Sequence, residues 1–187
     1  VRETLDTGLF GSHGEQQMGW AHRSYGEFLA ACYLHVRGVP AETVLKAVHH
    51  PAGGLVPQLS SVAAWAASLD ESVRSALIDE DPAALLGGDL SGLGYDTKSA
   101  ILKSLLDAVQ KKRVTGSVYK HAEIYAKLKH PGLADNLRPF VLDRALEPNT
   151  RRLALLVAER CGLADLRSEL LRIALDATDH PQVRSGA

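Results

Sequence analysis

Between Tyr25 and Val36 the large apolar side chains fall at Tyr25, Phe28, Leu29, Cys32, Tyr33 and Val36. Steps of three and four residues in turn follow the pitch of an α-helix and leave a strand no consistent face to bury. Ser24 and Glu27 stand three apart, just ahead of the run. That is the wording of a capping box, with the Ser24 hydroxyl on an orphan N–H of the first turn and the Glu27 carboxylate reaching back to the Ser24 N–H. Gly38 fits the left-handed residue after a helix, and Pro40 follows it. The spacing therefore predicts a helix over Ser24–Arg37. Phe28, Leu29, Cys32 and Tyr33 are expected to turn inward, making it the best-packed element of the N-terminal part. Met18–His22 runs straight into the cap and reads as a short strand, paired with Leu9-Phe10 across the Gly11–Gly14 turn.

The same period recurs along the chain. Pro40–His49 carries Val44, Leu45 and Val48 on one face, and Val56–Leu69 carries Leu59, Val62, Trp65, Ala66 and Leu69. Asp70 is expected to cap a helix with Val73, Leu77 and Ile78, and Asp81-Pro82 to open a short one closed by Gly87-Gly88. After the glycine-rich Asp89–Tyr95, Asp96 heads a long helix with Ile101, Leu102, Leu105, Leu106 and Val109 inward. Further helices are expected at Ser117–Leu128, Asn136–Leu146, Thr150–Cys161 and Leu166–Ala177, and from Pro181 onward. Aromatic residues make up only 5% of a chain that is 45% hydrophobic, and Leu and Ala dominate. That favours helix packed on helix over a β-sandwich.

Two short matches suggest a repeat. Gly132-Leu133-Ala134-Asp135 returns as Gly162-Leu163-Ala164-Asp165, and Pro148-x-x-Arg151 returns as Pro181-x-x-Arg184. A spacing in the low thirties with two helices per unit suits a solenoid. The expected fold is all-α: an α-α superhelix of HEAT/armadillo-like helix pairs with a small N-terminal β-hairpin. Its expected parts are residues 1–38 (hairpin and capped helix), 39–115 (a helical linker region) and 116–187 (HEAT-like repeats), the last division falling at Lys111–Gly116.

The wording of the N-terminal stretch is more specific than its period. Trp20-Ala21-His22-Arg23-Ser24-Tyr25-Gly26-Glu27-Phe28-Leu29-Ala30-Ala31-Cys32-Tyr33-Leu34 resembles the motif that closes the winged-helix part of NACHT-type STAND NTPases. Thr7-Gly8-Leu9-Phe10 is similar to the lead-in of bacterial members, so the match covers roughly the first forty residues. The resemblance implies a regulatory or sensor segment of a signalling ATPase, in which ATP and ADP bind a core outside this chain and switching serves regulation or antiviral defence. It implies that His22 reaches the phosphate of ADP in the closed state of the intact parent. It also implies partners that are protein ligands or neighbouring domains of that parent. The second reading is a HEAT-repeat protein-binding scaffold with no ATPase attached.

Catalytic signatures are scarce. No Gly-x-x-x-x-Gly-Lys-[Ser/Thr] phosphate loop, His-Glu-x-x-His, Cys-x-x-Cys or Gly-x-Ser-x-Gly occurs. The chain is accordingly expected to be no enzyme and to carry no cofactor or metal of its own. A formal net charge of −1 gives no general drive toward nucleic acid or anionic membrane. Lys111-Lys112-Arg113 reads as cations at a helix C-terminus, His49-His50 as loop residues facing solvent, and Arg151, Arg152 and Arg184 as one charged edge of the array. Cys32 and Cys161 fall within helical patterns and read as buried thiols of a reducing, cytoplasmic compartment. No apolar run is long enough to span a bilayer. Val1 and Ala187 read as the ends of an excised piece, with weak self-association expected through Val1–Phe10 and Leu175–Ala187.

Overall fold

The structure is a computed structural model and describes residues 8–12, 17–114 and 122–187. It is all-α apart from one hairpin. Strands β1 (Phe10–Ser12) and β2 (Met18–Trp20) pair antiparallel, with Phe10 opposite Trp20 and Ser12 opposite Met18. The helices are α1 (Arg23–Val36), α2 (Ala41–Val48), α3 (Ser60–Leu69), α4 (Glu71–Glu80), α5 (Pro82–Leu85), α6 (Tyr95–Gln110), α7 (Leu133–Leu142), α8 (Pro148–Cys161), α9 (Arg167–Leu175) and α10 (Pro181–Arg184). Short 3₁₀ turns at Pro57–Leu59 and Ala164–Leu166 lead into α3 and α9.

Several boundaries follow from local chemistry. Asp70 caps α4, its Oδ1 accepting the N–H groups of Ser72 and Val73. Pro82, Pro148 and Pro181 each sit in the first turn, where a missing N–H costs nothing. Gly162 ends α8 in the left-handed conformation at φ 63°, which a side chain there would strain. The long helix begins one residue before the expected Asp96 cap, with Gly94 at its N-cap and no side chain capping it. The helix expected at Ser117–Leu128 is a 3₁₀ segment at Ala122–Leu128, and residues 117–121 lie outside the described residues.

A single cluster of buried apolar side chains runs from Ala31 to Val183. It crosses the Lys111–Gly116 break without interruption, because α6 packs on α8. Ile101, Leu102, Leu105, Leu106 and Val109 of α6 all point into it, as their spacing requires. In α3 the expectation fails: the buried residues are Ala63, Ala64, Ala66 and Ala67, while Trp65 is only half-buried.

The C-terminal helices carry a recurring contact. Arg151 Nε donates to the Val141 carbonyl at 3.1 Å, and Arg184 Nε to the Ala174 carbonyl at 3.5 Å. Both partners move on by the same interval, from 141 to 174 and from 151 to 184. Arg151 is not on a solvent edge, contrary to the sequence expectation. Its side chain is 3% exposed and forms a two-pronged ion pair with Asp179 at 2.5 and 2.7 Å. Asp179 is held at about 2, mainly by that guanidinium, against the opposing pull of burial. Arg138 with Glu169 (2.9 Å), and Arg144 with Asp176, tie α7 and its following loop to α9 and its following loop.

Both cysteines are free thiols. Cys161 is buried and donates to the Tyr125 carbonyl at 3.3 Å, and burial pushes its thiol up. Cys32 is only half-buried. Among the described residues, no helix is long and apolar enough to cross a membrane.

Candidate functional site

The motif residues come together at the junction of β2 and α1. Phe10 and Trp20 stack across the hairpin with ring centroids 4.7 Å apart, and the Ala21 N–H donates to the Leu9 carbonyl at 2.8 Å. The chain then turns into α1 through His22, which is extended at φ −141° and ψ 138°. Gly26 lets the two elements close up, since a Cβ there would lie 2.8 Å from the Trp20 indole nitrogen.

The cap is His22, not Ser24. The His22 Nδ1 accepts the Ser24 N–H at 3.2 Å and lies 2.6 Å from the Ser24 hydroxyl. Ser24 is inside the helix, and the capping box is not formed. Glu27 is instead taken by Arg23, whose Nε lies 2.7 Å from its carboxylate and whose other end donates to the Gln58 carbonyl at 2.7 Å. Arg23 thus bolts the start of α1 to the turn before α3. With Nδ1 accepting, the neutral His22 ring carries its proton on Nε2, on an exposed side chain. The same device recurs at His180, where Nδ1 accepts the Gln182 N–H at 3.3 Å at the start of α10. Nothing in the capping-box pattern signals an imidazole cap; a histidine in the N-cap position ahead of a helical period is the cue that would have.

The apolar stripe of α1 is placed otherwise than its spacing predicts. Ala31 is its only fully buried residue. The covered residues of α1 include Ser24, Glu27, Ala31, Cys32 and Leu34, and the helix packs on α3, whose buried residues are all alanines. Phe28 is 39% exposed and reaches only the edge of Trp65, with centroids 5.1 Å apart; Leu29 is 38% exposed and Tyr33 61%. Tyr25 and Val36 continue this surface, and Trp20 and Met18 of the hairpin are exposed as well. Arg37 lies over the Tyr33 ring at 5.7 Å. So the junction presents a stripe of large apolar side chains, a polar Nε2–H of His22 at its head and guanidinium groups at both ends.

His49 is half-buried rather than solvent-facing, bridging the Leu45 carbonyl and Glu80, each at 2.7 Å. Lys111 and Arg113 are taken by Asp107, and Lys112 by Glu147. Among the described residues, no group of three potential metal ligands comes together. Comparison with protein-family models, with curated proteins and with solved structures finds no match to this chain.

Proposed function

We propose that this chain is a non-catalytic regulatory or sensor segment of a NACHT-type STAND signalling ATPase, coupling recognition by its helical array to the nucleotide state of a core outside the chain. The observation that carries the reading is the uncovered stripe Tyr25–Phe28–Leu29–Tyr33–Val36 on the motif helix. Large contiguous apolar surface on an otherwise well-packed protein marks a docking face. It coincides with the residues that resemble the motif, and His22 projects a hydrogen-bond donor beside it. On this reading the stripe seats against a neighbouring domain, and the His22 Nε2–H contacts the ADP phosphate in the closed state.

The test separates the cap from the contact. In the full-length protein, His22→Asn keeps a side-chain acceptor for the helix start but not the reach of the imidazole. One charge-assisted bond is worth roughly 1.5–3 kcal/mol, so ADP release should quicken about ten- to a hundredfold. Basal signalling should rise, with the melting temperature close to wild type. His22→Ala should show the same release and lose about 1 kcal/mol of stability as well. Normal ADP release in His22→Asn would leave the residue a helix cap alone.

The second reading, a HEAT-type protein-binding scaffold, is favoured by the Arg151–Val141 and Arg184–Ala174 contacts and their common interval. An encoded phosphate loop some hundreds of residues before Val1 would support the ATPase reading, and its absence the scaffold.

A further inference from the structure

A second site lies between α3, the loop after α5, the start of α6 and the 3₁₀ segment at Ala122–Leu128. It is an open cavity of about 510 Å³ whose lining includes Trp65, Asp89, Lys98, Lys127 and Lys129. Lys98 is the anomaly. It stands in the first turn of α6, where the helix dipole disfavours a cation, and it is 9% exposed. Its stem is covered by protein while its ammonium opens to the cavity. Yet no carboxylate lies within ion-pair distance of Lys98, Lys127 or Lys129, and the Lys98 ammonium has no hydrogen-bond partner, among the described residues.

The neighbours are fixed rather than floppy. Lys127 Nζ donates to the carbonyls of Leu86 and Gly88, both at 2.9 Å. Asp89 is the one acid in the lining. Its carboxylate accepts the Ser91 N–H at 2.9 Å, and its own N–H donates to the Ser68 hydroxyl at 3.0 Å. Three ammonium groups against one carboxylate leave two positive charges unbalanced. Trp65 supplies a flat apolar wall.

We infer that this cavity binds a small phosphomonoester, its dianionic phosphate held by Lys98, Lys127 and Lys129 and its flat apolar group laid against Trp65. The charge matches: two uncompensated positive charges meet a group carrying nearly two negative ones at neutral pH. The size matches a compact organic phosphate and exceeds what a bare ion fills. Lysines bind phosphate as point charges, which suits ammonium groups supplied by α6 and by the end of the 3₁₀ segment. This inference stands independently of the ATPase reading, because no motif residue of α1 lines the cavity.

The test is titration calorimetry at low ionic strength with phenyl phosphate, inorganic phosphate and phenol. Phenyl phosphate should bind most tightly, inorganic phosphate more weakly, and phenol not measurably. Lys98→Met should weaken phenyl phosphate about tenfold or more, the loss expected of one charge-assisted contact. It should melt close to the wild-type temperature, since the Lys98 ammonium opens to the cavity and bonds no protein group. Trp65→Leu should weaken phenyl phosphate and spare inorganic phosphate. Lys129→Ala, at an exposed position, should weaken both without touching stability. Lys103→Ala, on α6 outside the cavity, should change nothing. No measurable binding of either phosphate by the wild-type chain would overturn the inference. So would undiminished binding by both Lys98→Met and Lys129→Ala. Should Lys98→Met not fold, Lys129→Ala decides.

Discussion

Helices α1 and α8 have the same length, fourteen residues, and make opposite use of it. The first carries a stripe of large apolar side chains and leaves most of them in water. The second carries Arg151 and buries it to 3% exposure, together with Thr150. The difference lies in the neighbours. α3 offers α1 buried alanines, so the two helices approach closely with Ala31 between them, and the bulky stripe is left largely exposed. Arg151 meets a carboxylate, Asp179, and a carbonyl, Val141, placed to satisfy its fork. Apolar period says which residues share a face; what covers that face is a property of another part of the chain.

The strongest way to break this comparison is to empty the clamp. Arg151→Ala strands Asp179 as an uncompensated buried charge and should cost about 3–5 kcal/mol in denaturant or thermal unfolding. The double change Arg151→Met with Asp179→Leu should recover most of that loss, because both charges then leave together. A single substitution within about 0.5 kcal/mol of wild type would show that the pair contributes no more than a surface bridge.

Acid should act on the same pair. An ordinary aspartate titrates at 3.8, whereas the Asp179 carboxyl is held at about 2 in the folded chain, mainly by Arg151. A folded value below the unfolded one means that the ion pair stabilises fully above 3.8, and that this share drains away as pH falls from there toward 2. Glu169, which Ser168 and then Arg138 also hold at about 2, adds to the same acid limb. A melting-temperature profile should therefore be flat in this respect above about pH 5 and fall below it. Asp179→Asn should flatten part of that fall; an unchanged slope would remove Asp179 from the account.

The smallest effect belongs to α1. Phe28→Ala should cost about 1–2 kcal/mol, short of the roughly 3–5 kcal/mol of a fully buried phenylalanine, and Tyr33→Ala under about 0.5 kcal/mol. A larger loss at Phe28 would mean that the stripe is covered in solution.

Much of the helical layout was legible from period and punctuation. The inward set of α6, the Asp70 cap and the proline-headed starts of α5 and α10 needed only local rules, whereas α8 begins at Pro148, two residues before the expected Thr150. What escaped the sequence was long-range or sterically subtle. The alanine wall of α3 hides among residues whose period favoured Leu59 and Trp65. The His22 cap was masked by an intact capping-box wording at Ser24 and Glu27. Arg151 and Asp179 looked like ordinary charged residues, because burial of a charge depends on partners contributed by other segments. The Pro-x-x-Arg match was informative for a reason invisible in sequence: its arginine makes the same carbonyl contact each time.

The side-chain ties of this chain share one more property. Arg23 with Gln58, His49 with Glu80, Lys127 with Leu86, Thr150 with Gln110 and Arg151 with Asp179 each reach between 28 and 41 residues along the chain. Among the described residues, no side-chain hydrogen bond reaches further. These hydrogen bonds thus join segments near one another in sequence, while apolar packing, as of α6 on α8, reaches beyond them. Such wiring shortens the loops that folding must close, and it lets α9 and α10 peel away while α3 to α6 stay assembled. Exchange of buried amide protons would then run as a gradient, quickest at the α10 end and slowest in α6, instead of as one all-or-none opening.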